Sequence, residues 1–365
     1  MKARTLHRTL LAICLSSIST AQTLREAADR AGILIGTAVR PSHLAEQRYA
    51  STLSREFNMV TAEDAMKWQT LRPTEDTYDF STADALIDFA HAHGMKVRGH
   101  CLVWGRDNPE WLTKGRFTPE QLSDLLHEHI AVVMKHYSGE VLAWDVVNEA
   151  LDENGRLRDT IWYSKPGIGF AGRGDEYIAQ VFRWAHRSDP HALLFYNEAE
   201  GEFLNPKSDA IYALIKRLKH SGVPIDGIGL QMHISTLDGN PGSLASALSA
   251  NIARIAALGL QVHITELDVS LLVDAEGRAS SVDLARQAEL YRLVVRACLQ
   301  NPSCTAIQTW GFTDKYSWIR SHSRGSRGDA LPFDNLYQPK PAYAAFLKEL
   351  LEGAFLQRHI STQEP

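Results

Sequence analysis

Two glutamates have the neighbours that acid–base and nucleophilic chemistry needs. Glu149 closes the run Trp144-Asp145-Val146-Val147-Asn148-Glu149, and Glu266 lies in Thr265-Glu266-Leu267-Asp268, with His263 three residues before it. Taken alone, each would more often be a solvated strand-end residue or a partner for an arginine. Both, however, sit at or in apolar runs, where an unsatisfied polar group costs about 1–3 kcal/mol, so a fold gathers such groups only for a task. Two converging carboxylates suit cleavage of a glycosidic bond, and the sequence has no His/Cys spacing for zinc and no nucleophilic serine or cysteine motif. Other apolar runs end in side chains that could hold a sugar: Glu63, Asp64 and Lys67; His100 and Trp104; Asn197 and Glu198; Gln231 and His233; Trp310, Asp314 and Trp318. Indole faces match the apolar faces of sugar rings, and Asn, Gln, His and Lys bond hydroxyls. Trp144, Trp162 and Trp184 fit core packing as well. His127 and His129, two apart on an amphipathic stretch, read as solvated and not as ligands.

These residues need a scaffold that brings run ends together. Strand-like runs occur at Ile33–Ala38, Met59–Ala62, Lys96–Trp104, Val141–Asn148, Ala192–Tyr196, Gly227–His233, Gln261–Val269 and Ala306–Phe312. Between them lie stretches with helical spacing of apolar residues, among them Asp84–His93, Pro119–Tyr137, Glu176–Arg187, Ser208–His220, Ser243–Leu258 and Val282–Leu299. Eight runs apolar on both faces, alternating with helices, predict a closed parallel sheet: a (β/α)8 TIM barrel in a single domain, with functional groups at the C-terminal strand ends. The competing open, doubly wound sheet calls for a glycine-rich turn after the first strand, where this chain has Val39-Arg40-Pro41-Ser42. Gly167, Gly169 and Gly172 spell a Gly-x-Gly-x-x-Gly string, but it follows Pro166 and no strand, so it reads as a loop.

The chain has 365 residues, 44% of them hydrophobic, which excludes a disordered protein. Its 38 basic and 43 acidic residues form no long single-sign block, which argues against a nucleic-acid partner. Residues 1–21 combine Lys2, Arg4 and Arg8 with the apolar stretch Leu10–Ile18 and the small residues Ser19-Thr20-Ala21: a signal peptide cleaved after Ala21, ahead of a catalytic unit over 22–365. The expected destination is the periplasm or the medium. The segment carries three basic and no acidic residues, so its removal takes the net charge from −5 to −8. No later stretch is apolar enough to span a bilayer. Cys14 leaves with the signal. Cys298 and Cys304 flank a short polar turn and can bridge, a closure worth roughly 2 kcal/mol, while Cys101 reads as a buried free thiol.

At these residues the sequence resembles the endo-1,4-β-xylanases of glycoside hydrolase family 10, from about Ile33 to Leu350. The motifs, in order, are Asn58 through Trp68, Arg98-Gly99-His100 with Leu102-Val103-Trp104, Trp144 through Ala150, and Ile264 through Asp268. Thr309-Trp310-Gly311 with Asp314, Ser317 and Trp318, then Pro339 through Tyr343, complete the pattern. The resemblance implies a retaining double displacement with Glu149 as general acid/base and Glu266 as nucleophile. It implies that His233 and Asp268 hold Glu266 and that Asn148 contacts the sugar 2-hydroxyl. It places Glu63, Asp64, Lys67, His100, Trp104, Gln231, Trp310 and Trp318 around the sugars on the non-reducing side of the cut. The implied partners are xylan and xylooligosaccharides, acted on by a monomer with no metal and no organic cofactor. The chain departs from the family pattern at Asp64 (usually Asn), Gly105 (usually His), Asp107 (commonly Gln) and Asn197-Glu198-Ala199-Glu200 (usually Asn-Asp-Tyr-Asn); these bear on subsites and leave both glutamates untouched. The alternatives are a retaining glycanase for another β-linked glycan and a non-catalytic sugar-binding barrel.

Overall fold

The computed structural model describes residues 22–361, with side chains described through 353, so the signal-peptide expectation for 1–21 lies outside the described residues. The strands are β1 (Leu34–Val39), β2 (Met59–Ala62), β3 (Lys96–Trp104), β4 (Ala143–Asn148), β5 (Leu193–Glu198), β6 (Gly227–Leu230), β7 (Gln261–Leu272) and β8 (Cys304–Thr309). Helix α1 (Leu24–Ala31) precedes them. Each strand is followed by one long helix: α2 (Gln47–Glu56), α3 (Ser81–Ala92), α4 (Pro119–His136), α5 (Glu176–Ser188), α6 (Pro206–His220), α7 (Pro241–Ala256), α8 (Ser281–Leu299) and α9 (Pro341–Ser361). Every neighbouring pair of the eight is parallel, and β8 closes on β1 through Leu34↔Ala306 to Thr37↔Thr309, which makes the predicted (β/α)8 barrel.

Local sequence explains where several helices start. α4, α6 and α7 each begin with a polar cap followed by proline: Thr118-Pro119, Asn205-Pro206 and Asn240-Pro241. The cap side chain accepts a backbone N–H of the first turn, and proline at the first helical position has no N–H to leave unpaired. Trp144, Trp162, Phe182 and Phe346 are among the large side chains fully buried where the strands meet the helix ring. Burying one such side chain contributes about 1.5–3 kcal/mol.

The inside of the barrel is polar at its centre. Arg98 on β3 is fully buried and forks onto the Asp145 carboxylate of β4, with Nε donating at 3.0 Å. Its Nη1 donates to His263 Nδ1 on β7 at 2.8 Å, and His263 Nε2–H donates to Thr305 at 2.9 Å. Burial, with Arg98 beside it, holds His263 well below its ordinary pKa, and therefore neutral. On the opposite, helix-facing side of these strands Gly99 makes room for the Trp144 ring, which a Cβ would approach to 2.2 Å.

Two sequence expectations are corrected. The run Gly227–His233 is not one strand: Met232 adopts φ 67°, β6 stops at Leu230, and His233–Ser235 forms a separate short strand paired with β7 at His233↔Asp268. His129 is not solvated. It is fully buried and stacked on Trp68 with ring centroids 3.6 Å apart, and burial drives its pKa far down. The helical spacing left its face ambiguous, because the indole that covers it comes from a segment some sixty residues away. Cys298 and Cys304 form the expected disulfide, and Cys101 is a buried free thiol. Gly167, Gly169 and Gly172 lie in a loop, each with positive φ.

Candidate active site

The C-terminal ends of the strands open into a cavity of about 400 Å³ whose lining includes Glu149, Glu266, Asn148, Gln231 and His233. Lys67, His100, Trp104, Trp310 and Trp318 line it as well, so most of the residues singled out from sequence meet at one mouth. Asp268 sits just beneath the lining. Glu63 and Asp64 are off the lining, turned to Arg40, whose Nε lies 2.7 Å from Glu63 and 3.0 Å from Asp64. Trp104, Trp310 and Trp318 are half-buried with faces left open, whereas Trp144, Trp162 and Trp184 are core.

Glu266 sits in a charged clasp. His233 Nε2 lies 3.0 Å from its Oε2, while His233 Nδ1 lies 2.9 Å from Asp268 Oδ2. Burial disfavours the His233 cation, but the hydrogen bonds and charges of Asp268 and Glu266 outweigh it and hold the ring well above its ordinary pKa, so both nitrogens donate. The Trp318 indole N–H donates to the same Asp268 oxygen at 2.9 Å. For Glu266 burial raises the pKa, yet the His233 bond and charge, with the Asn197 amide, bring it below its ordinary value. Glu266 is therefore a buried anion with a cation attached.

Glu149 has a different setting. Its Oε2 accepts from the Trp104 indole N–H and its Oε1 from the Gln231 amide, both at 3.2 Å, and neither donor carries charge. The two glutamates are tied together by amides. Asn197 Nδ2 donates to Glu266 Oε1 at 2.8 Å and to Asn148 Oδ1 at 2.9 Å, and Thr265 Oγ1–H donates to Asn197 Oδ1 at 2.8 Å. Gln231 Nε2 also donates to Asn148 Oδ1, at 3.3 Å. Asn197 fits only because its neighbour on β6 is Gly229, where a Cβ would lie 2.1 Å from the Asn197 oxygen.

Beside the glutamates, Lys67 extends over Trp104, 5.0 Å from the ring centroid, with its ammonium 3.1 Å from Asp64 and 3.0 Å from Asp107. Burial opposes that charge, but the two aspartates raise its pKa overall. His100 is oriented from below, its Nδ1–H donating to Asp145 Oδ2 at 2.9 Å, which turns Nε2 to the cavity.

Sequence reasoning placed Asn197 among the run-end side chains that could hold a sugar and not as a support of Glu266, and it did not single out Asp145 as the support of His100, or Arg40. For Asp145 and Asn197 the signal was a polar residue in or at the end of a β-rich run; Arg40, just past the first strand, gave none. What was missing was which face of the barrel each strand end presents.

The profile described as Glycosyl hydrolase family 10 matches residues 23–349. The chain is 40% identical over 353 residues to endo-1,4-beta-xylanase B of Thermotoga neapolitana, covering 96% of this chain and 97% of that one. It is 37% identical to endo-1,4-beta-xylanase D of Talaromyces funiculosus, over 94% of this chain and 81% of the relative. Among solved structures, xylanase 10B of Thermotoga petrophila RKU-1 in complex with xylobiose superposes with a TM-score of 0.85 at 41% identity, covering 91% of this chain and 98% of that one. The family match and these relatives define a glycoside hydrolase. The chain belongs to glycosyl hydrolase family 10.

Proposed function

We propose that the chain is a retaining endo-β-1,4-xylanase, with Glu266 as nucleophile and Glu149 as general acid/base. The observation that carries this reading is the unequal setting of two carboxylates in one cavity: Glu266 is a buried anion bonded to the His233 cation, whereas Glu149 receives only neutral donors. Separated roles for two carboxylates are what glycoside hydrolysis needs. The 37–40% identity to proteins named endo-1,4-beta-xylanase supports xylan as the substrate.

In the first step a Glu266 oxygen attacks the anomeric carbon, the bond to the departing sugar oxygen breaks, and the Glu149 proton goes to that oxygen. In the second, Glu149 takes a proton from water, the water oxygen attacks the same carbon, and the ester to Glu266 breaks. Asn148, with Oδ1 already accepting from Asn197 and Gln231, keeps Nδ2 to donate to the sugar 2-hydroxyl. Trp310 and Trp318 give apolar faces to the glycone, Lys67 gives a donor, and His100 presents Nε2 to a hydroxyl.

The deciding experiment is Glu266→Ala, assayed on xylan and on an aryl xylobioside. Xylan cleavage is expected to disappear, and azide is expected to restore turnover only of the activated substrate, giving an inverted product; near-full activity on xylan refutes the assignment. Parallel assays on mixed-linkage glucan and mannan test the substrate class, and binding of xylooligosaccharides without turnover marks a sugar-binding barrel. We also propose that residues 1–21 direct export of a monomer, supported by the Cys298–Cys304 disulfide, since such bonds persist in oxidising compartments. A mature N-terminus at Gln22, read by mass spectrometry from an exported product, tests it.

A further inference from the structure

The end of β4 must turn sharply to present Glu149, which has φ 52°, a left-handed conformation disfavoured for a residue with a Cβ. Regular pairing stops at Asn148↔Asn197, and past that point the chain is held by individual bonds. Glu149 N–H donates to Asn197 O at 3.0 Å, and Arg158 reaches back with its N–H to Ala150 O at 2.8 Å and its Nε to Leu151 O at 2.7 Å. Asp152 N–H donates to Arg156 O at 2.7 Å, and a further bond comes from a side chain: Leu151 N–H donates to Glu198 Oε2 at 3.0 Å.

Glu198, at the last position of β5, is fully buried, and the reaction steps above do not use it. Its Oε2 also accepts from the Tyr196 hydroxyl at 2.7 Å, and its Oε1 faces Ala199 N–H at 3.3 Å and the Lys207 ammonium at 3.3 Å. Lys207 is itself buried, near the start of α6, so the carboxylate is held from β5 and α6 together. Burial pushes the Glu198 carboxyl up, to about 7, against the opposing pull of Lys207 and Tyr196. A group so costly to bury is more than a space filler.

We propose that Glu198 is the positioning residue of the acid/base: by clamping the Leu151 amide it holds the left-handed turn that directs the Glu149 carboxyl at the leaving oxygen. The proposal rests on the reading of Glu149 as acid/base. A misdirected acid slows departure of a basic leaving group and leaves untouched a leaving group that needs no proton.

The test compares kcat/KM on phenyl and on 2,4-dinitrophenyl β-xylobioside. Glu198→Ala is expected to lose about tenfold or more on the phenyl substrate and under about threefold on the dinitrophenyl one. Glu198→Gln, whose amide oxygen can still accept from Leu151 and Tyr196, is expected to stay within about threefold on both. Equal losses of Glu198→Ala on the two substrates, or no loss on either, overturn the proposal. Should that variant fail to fold, Tyr196→Phe carries the test: a loss of about threefold confined to the phenyl substrate supports the role, and an equal effect on both overturns it. Glu149→Ala separates the two readings. It is expected to show the same selectivity, only larger; a Glu149→Ala enzyme without selectivity overturns the acid/base reading, and a selective one beside an unselective Glu198→Ala overturns the positioning role alone.

Discussion

His233 bonds two carboxylates at once, and this arrangement keeps buried Glu266 an anion. Replacing His233 by alanine leaves Glu266 buried without its cation, so its pKa must rise from below the ordinary 4.5. The acidic limb of kcat/KM, which follows ionisation of the proposed nucleophile in the free enzyme, is expected to move to higher pH; a limb at the wild-type position contradicts the clasp. Asn197 bonds Glu266 and Asn148 with one amide nitrogen, so Asn197→Ala removes support from both the proposed nucleophile and the residue proposed to face the sugar 2-hydroxyl. By analogy with loss of one preorganised donor, kcat is expected to fall on the order of 10²-fold, measured on an aryl xylobioside. Glu149 and Glu266 were legible from sequence because each ends or interrupts an apolar run. Asn197 was not, because its task depends on the absence of a side chain at Gly229 on the next strand.

At the scale of elements, the departure of the chain from regular strand geometry does the positioning. Met232 breaks what reads as one apolar strand into two, and the break lets His233 pair beside Asp268 while Gln231 O still accepts from Glu266 N–H at 2.9 Å. Periodicity cannot report such a break, since a residue with positive φ keeps its apolar character. The link between α8 and β8 is stapled by Cys298–Cys304, six residues apart in sequence. Cys298→Ser with Cys304→Ser is expected to lower unfolding free energy by about 2 kcal/mol in a urea titration, with kcat/KM unchanged, because the loop lies at the strand N-termini, away from the cavity. Asp314, after β8, is ion-paired with Lys340 at 2.7 Å and accepts from Leu331 N–H at 2.9 Å, which ties together two segments that sequence inspection could only place in order.

For the molecule as a whole, the buried Arg98–Asp145 pair lies at the centre of the barrel and supports His100 above it. Arg98→Met leaves Asp145 without its cation and is expected to cost about 3–5 kcal/mol of stability, read as a lowered denaturation midpoint. Charge also sets the pH window. Burial opposes ionisation of Asp145, but Arg98 and His100 hold its pKa below the ordinary 3.8, and Glu266 is likewise below 4.5. Both contributions to stability are present above those ordinary values and are lost as pH falls through the lower folded ones. His233, raised above 6.5, contributes below that pH and loses its contribution as pH rises through its folded value. Melting temperature is therefore expected to decline on both sides, with the alkaline decline smaller in His233→Ala; an unchanged alkaline decline in that variant contradicts the assignment.

The sequence alone determined the barrel, the two glutamates at one mouth, the indoles that line it and the disulfide, because each is written in local pattern: the alternation of strand and helix, polar residues at the ends of apolar runs, two cysteines about a short turn. Tertiary structure alone decided that His233 reaches Asp268, that Asn197 reaches Glu266, that Arg98 meets Asp145 and His263, and that His129 lies under Trp68. Those contacts join residues far apart in the chain, and their geometry depends on strand register and, for Asn197, on the close approach at Gly229, which no local spacing records.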